Sequence, residues 1–243
     1  MRGHGKIVAA HLVGNALLLW LAYYWLGVGE GGGWALVWSA LVAAAIVCFT
    51  ICLHGAAFAH FAGGTAAWRT ALRRVAPLLA AAAAVGAIYW LLSLWAGYSG
   101  RPAFRIASYL TMKLRQPVRP ASVVRIFNVG LWLVRWMVVP VLALPVVAAI
   151  ASRGWKGFGS RGLRGRSLLY WVVVPLLLVC AFWLPFRVWE WVPRVNGFTL
   201  EMASFVLRAL AGYLCFVGAW LVLVSLTSSG TPRPTQLNTA VSP

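Results

Sequence analysis

The side chains able to do chemistry in this chain are the titratable ones that fall inside or beside long apolar runs. Arg135 and Arg208 each interrupt such a run, Arg187 and Glu190 close another, and Glu201 opens the run that carries Arg208. A charge held in hydrocarbon is costly and marks a binding site unless a partner neutralises it. These five residues therefore suit an anionic ligand or a lipid headgroup. Glu201 and Arg208 are seven apart and share a helix face. That register also admits a purely structural arrangement, in which Glu190 and Glu201 pair with the arginines and lock three helices together.

Histidines supply the second constellation. His11 lies near the start of the first apolar run, and His54 and His60 near the end of the second. In a helical hairpin those ends are neighbours, and two facing imidazoles are the ingredients of haem b ligation, of a quinone site or of a proton site. His54 and His60 are six apart, so they point about 120° from each other and at most one can face His11. Asn15 follows His11 by four residues, on the same face, where it suits an interhelical hydrogen bond.

The rest of the inventory excludes more than it suggests. The chain has no Asp and only three Glu (Glu30, Glu190 and Glu201), so carboxylate acid–base pairs and hard-metal sites have almost nothing to be built from. There is no P-loop, nucleophile elbow or H-E-x-x-H. Residues 157–162 match G-x-G-x-x-G by letter, but they follow an apolar run and not the strand of a βαβ unit. Cys48, Cys52, Cys180 and Cys215 all sit in apolar runs and read as small core residues. The expectation is a chain without enzymatic activity, metal or obligatory cofactor.

The elements that must position these residues follow from composition. The chain is 62% hydrophobic over 243 residues, where soluble domains run to about 45–50%, and a bilayer span takes about 20 apolar residues. The sequence predicts an all-α, polytopic integral membrane protein. Spans fall at 7–28, 34–61, 76–98, 126–150, 168–189 and 202–226, in a single helical bundle over 1–226, with a polar, disordered tail over 227–243. Pro140 and Pro145 in the fourth span, and Pro175 and Pro185 in the fifth, predict kinks.

The net charge of +18 sits between the spans, where it meets lipid phosphate and not nucleic acid. With the N-terminus cytoplasmic, basic residues number eleven inside: two before the first span, three at 69–74, five at 153–166 and Arg233. Eight lie outside: six at 101–125, with Arg187 and Arg194. That is a small positive-inside excess. Trp25, Trp34, Trp38, Trp90, Trp95, Trp132, Trp136, Trp189 and Trp191 fall at one set of span ends, as interfacial tryptophans should. Arginine outnumbers lysine, as in GC-rich bacterial genomes, which points to a bacterial inner membrane.

Between the third and fourth spans, 102–116 predicts an interfacial amphipathic helix. Phe104, Ile106, Ala107, Leu110 and Leu114 fall on one side, and Arg105, Ser108, Lys113, Arg115 and Gln116 on the other. Arg105, Lys113 and Arg115 are its phosphate contacts. The basic linkers before the third and fifth spans share a Trp-basic…Leu-Arg pattern and hint at a duplicated hairpin. The leading expectation is a non-enzymatic scaffold or accessory subunit of a membrane complex that interacts with anionic lipid, and with other membrane subunits or itself. The alternatives are a permease-like transporter of an anionic or amphiphilic molecule, and a haem- or quinone-binding electron-transfer subunit.

Overall fold

The computed structural model describes residues 2–29, 31–64, 66–159, 168–193 and 197–228. These residues are helical without any strand, and six of their helical stretches are long and apolar enough to cross a membrane: His4–Leu26, Gly33–Phe61, Val75–Tyr98, Pro120–Gly157, Leu168–Glu190 and Phe198–Ser228. The protein is an all-α polytopic membrane protein. In chain order the helices are α1 (Arg2–Leu26), α2 (Gly33–Phe61), α3 (Ala67–Arg73), α4 (Val75–Tyr98), α5 (Gly100–Leu114), α6 (Pro120–Leu133), α7 (Val139–Arg153), α8 (Leu168–Leu178), α9 (Leu184–Glu190) and α10 (Phe198–Ser228). All nine of the tryptophans assigned to span ends are exposed.

Local sequence sets the ends. At the end of α2, Gly63 adopts φ 92°. Its N–H bonds His60 O (2.9 Å) and the Gly64 N–H bonds Ala59 O (3.0 Å), closing the helix on its own last carbonyls. A Cβ at Gly64 would lie 2.8 Å from the Ala59 carbonyl oxygen. The linker that follows folds into α3, which the apolar pattern alone does not reveal. Pro120 occupies the first turn of α6, where its missing N–H costs nothing, so the fourth span starts six residues before the expected 126. The sixth span runs on to Ser228, two residues into the expected disordered tail. There the Thr227 hydroxyl donates to Leu223 O (2.9 Å) and that of Ser228 to Phe58 O (3.5 Å). The rest of the tail, and most of the second basic linker of the suspected duplication, lie outside the described residues.

The four prolines behave in two ways. Pro145 and Pro175 sit inside continuous α-helix. Pro140 and Pro185 each follow a five-residue π-helical segment, Val134–Val138 and Val179–Trp183. The two segments share one mechanism. The Val139 N–H reaches back to Val134 O, and the Leu184 N–H to Val179 O. The next residue in each case is the proline, which has no N–H to give. The Arg135 and Cys180 carbonyls are thereby left without a backbone donor, and each takes one from another helix. The Tyr89 hydroxyl donates to Arg135 O at 2.6 Å, and the Cys215 thiol to Cys180 O at 3.3 Å.

The described residues group into two compact units, drawn from residues 1–79 with 144–243 and from residues 80–143. In the first, α10 is the hub, packing on α1, α2, α8, α9 and the second π segment, around fully buried Leu53, Ile150, Val174, Leu223 and Val224. Gly157 is part of its packing: a Cβ there would lie 2.5 Å from the Ile150 backbone. The second unit has its own cluster, in which Ala103 and Ala107 of α5 bury against Val123 of α6. The small side of α5 is spent on its neighbour in sequence, which gives this segment a core of its own.

Replacing Tyr89 with Phe should destabilise the protein by about 1–3 kcal/mol, the cost of a buried carbonyl losing its donor. Thermal unfolding in detergent is the check. An unchanged midpoint would mean that the π segment finds another donor.

Candidate functional site

The charged residues expected to form one cluster do not act together. Arg187 and Glu190 pair with each other at 3.2 Å on the exposed face of α9, with the Arg187 guanidinium 5.1 Å from the Trp183 ring centroid. At that exposure the pair adds little stability. Glu201 lies exposed in the first turn of α10, where a carboxylate favours the helix dipole, and it makes no ion pair among the described residues. Arg135 belongs to the second unit. Its guanidinium donates to Ser93 Oγ at 3.0 Å, and its buried Nε has no partner among the described residues.

Arg208 does something the sequence does not announce. Its Nη1 donates to Trp189 O (2.8 Å) and Trp191 O (2.7 Å), and its Nε to Ser204 O (3.2 Å). The α9 helix ends at Glu190, so its last carbonyls lack intrahelical donors and carry the negative end of the dipole. Arg208 is a cap supplied from the neighbouring helix. The expected lock of Glu190 and Glu201 on the arginines is therefore replaced by arginine–carbonyl bonds, because these carbonyls lie within reach of α10 while Glu190 is taken by its own helix. Arg74, outside the spans, does the same for Ala151 O at 2.5 Å, and burial lowers its pKa from the ordinary arginine value.

Beside Arg208 lies a cleft of about 520 Å³ between α1, α9, α10 and the second π segment, within the about 300–1,000 Å³ of small-molecule sites. Its walls are almost wholly apolar, including Leu19, Phe182, Phe186, Trp189 and Phe216, and Arg208 is its one charged lining residue. Gly212, on its lining, faces Pro185, whose backbone oxygen a Cβ would meet at 3.5 Å. Of these residues Pro185 and Arg208 stand out in sequence but Gly212 does not, and nothing in sequence says that Gly212 and Pro185 face each other.

The histidines divide into two pairs. His11, fully buried, meets His54 with ring centroids 5.5 Å apart, edge to face. His60 Nε2 lies 3.3 Å from Nδ1 of His4. His54 also stacks edge-on against Trp220 at 5.1 Å. The His11 ring bonds Ile7 O through Nδ1 (3.1 Å), and Asn15 donates to His11 O (2.8 Å). The hydrogen bond to another helix expected of His11 and Asn15 is thus spent within α1. The link between helices comes instead from Tyr213, whose hydroxyl donates to Leu12 O. This geometry does not fit haem. Two imidazoles on one iron must face each other across about 4 Å of nitrogen–nitrogen separation, with the macrocycle between them, whereas these rings touch directly. The helices behind them are close as well: a Cβ on Gly14 would sit 2.9 Å from the Leu53 methyls. Among the described residues no group of three or more His, Cys, Asp or Glu is placed to hold a metal.

No protein-family model, curated protein or solved structure matches this chain.

The α5 helix exposes two chemistries at once. With Ala103 and Ala107 buried, the large apolar residues flanking them stay open, Phe104 at 60% and Leu114 at 58%. Arg101, Arg105 and Lys113 occupy the opposite arc and are exposed too. The Lys113 ammonium lies 5.9 Å from the Tyr109 ring centroid. Arg115, expected to extend the basic face, instead ends the helix in the left-handed region at φ 52°. There the Thr111 hydroxyl accepts from the Val118 N–H (3.0 Å).

Exchanging Arg208 for Met should cost about 1–3 kcal/mol per carbonyl left without a donor, seen as a lower unfolding temperature in detergent. Lys at that position should recover part of the loss.

Proposed function

We propose that this chain is a non-catalytic component of a bacterial inner membrane, with its N-terminus cytoplasmic, that acts as a scaffold or accessory subunit and engages anionic lipid through α5. The observation that carries the reading is the joint exposure of large apolar and basic side chains on that helix. A connector packed on its own unit would bury its large apolar residues. A helix lying in the headgroup region immerses them and turns its cations to phosphate. The fate of the intramembrane arginines agrees with a structural role, since Arg208 caps backbone carbonyls. Its partners are membrane lipid and, through lipid-exposed helix faces, other membrane subunits or a second copy.

The test is a triple exchange of Arg101, Arg105 and Lys113 to Gln. At about 1 kcal/mol per basic side chain near an anionic surface, the preference for anionic over zwitterionic lipid should fall on the order of 100-fold. Native mass spectrometry of protein extracted from bilayers of defined composition reads that preference directly. Unchanged retention of anionic lipid sinks the reading.

A second reading, a permease-like binder of an anionic amphiphile, is favoured by the apolar cleft with Arg208 at its wall. If it holds, Gly212→Phe should fill the cleft and weaken binding of a fluorescent long-chain carboxylate by at least about tenfold, measured by titration in detergent. Equal affinity in the variant removes the cleft from consideration.

A further inference from the structure

Three buried polar atoms of the first unit have no partner among the described residues, and they belong to three rings linked through His54, which contacts each of the other two. They are His11 Nε2 on α1, His54 Nδ1 on α2 and the Trp220 indole N–H on α10. A buried polar atom without a partner is costly in water-soluble proteins and more so in hydrocarbon. Three of them joined through His54 ask for a shared explanation.

The proton inventory restricts what can satisfy them. The His11 ring faces the Ile7 carbonyl through Nδ1, so that nitrogen carries the hydrogen and Nε2 is a bare acceptor. The indole N–H can only donate. His54 Nδ1 takes either part, according to tautomer. A guest must therefore give one hydrogen bond and receive another at the same site. A metal cation has no lone pair for the indole hydrogen, and ammonium donates only.

We propose that this cluster is a binding site for one buried water molecule. The water donates to His11 Nε2, accepts from the Trp220 N–H, and makes its third bond to His54 Nδ1. Three bonds are the usual complement of a buried water. Each of the three helices supplies one atom, so the water joins α1, α2 and α10 where α10 acts as the hub. The site stands apart from α5 and from the cleft, and it would exist whether or not the chain binds anionic lipid.

The test is nitrogen-15 NMR of the full chain in lipid nanodiscs, labelled at His and Trp. Among the 15 indoles, that of Trp220 is assigned by its disappearance in Trp220→Phe. A rotating-frame cross-peak between this indole hydrogen and water, with His11 neutral and protonated at Nδ1, is the expected result. No such cross-peak, with a through-bond coupling between the two imidazoles in its place, would overturn the proposal in favour of a direct His11–His54 hydrogen bond. A shift of both histidine signals on adding zinc or copper(I) would overturn it in favour of a metal. If Trp220→Phe does not fold, selective labelling of His alone still reads the tautomer of His11 and its contact with water.

Discussion

In a bilayer core there is no solvent to satisfy a backbone carbonyl, so every one that loses its helical donor must receive another from the protein. This chain creates that need at identifiable places. Pro140 and Pro185 each withhold an N–H, and the α9 helix stops at Glu190. At each, a side chain from another helix answers: Tyr89 for Arg135 O, Cys215 for Cys180 O, and Arg208 for Trp189 O and Trp191 O. Tyr213 makes a similar link, tying α10 to the Leu12 carbonyl of α1. Polar side chains in the spans are thus largely employed in keeping backbone groups paired. The same bonds fix which helices are neighbours.

That employment changes how the intramembrane charges are read. An arginine in a span suggests an anionic ligand by default, but Arg208 already faces the negative end of a helix. It remains the single charge on the wall of an apolar cleft, so its structural work and a role toward an anionic amphiphile are compatible. Exposed cationic charge lies instead on α5, where Arg101, Arg105 and Lys113 are exposed beside Phe104 and Leu114. A helix that buries only alanines against its neighbour keeps its large apolar and its basic side chains exposed.

The histidines show the opposite economy. His60 pairs with His4 near the N-terminus, while His11 and His54 sit inside the packed helices with Trp220. Direct ring contact leaves no slot for a macrocycle, and three polar atoms there have no partner among the described residues.

Six spans, their approximate limits, a short amphipathic helix between the third and fourth, and the exposure of tryptophans at span ends were all legible in sequence, because apolar length and amphipathic period act locally and bilayer thickness sets their scale. The angular spacing of His54 and His60 likewise foretold that only one could face His11. Pairings were not legible. Glu201 and Arg208 share a helix face, yet Arg208 turns to carbonyls of another helix. Prolines were visible, but only packing determined that Pro140 and Pro185 would open π segments while Pro145 and Pro175 would not. The meeting of Gly212 with Pro185, and of Trp220 with the histidines, depends on the rotation of each helix about its own axis. Local sequence leaves that rotation open, and contact between helices distant in the chain decides it.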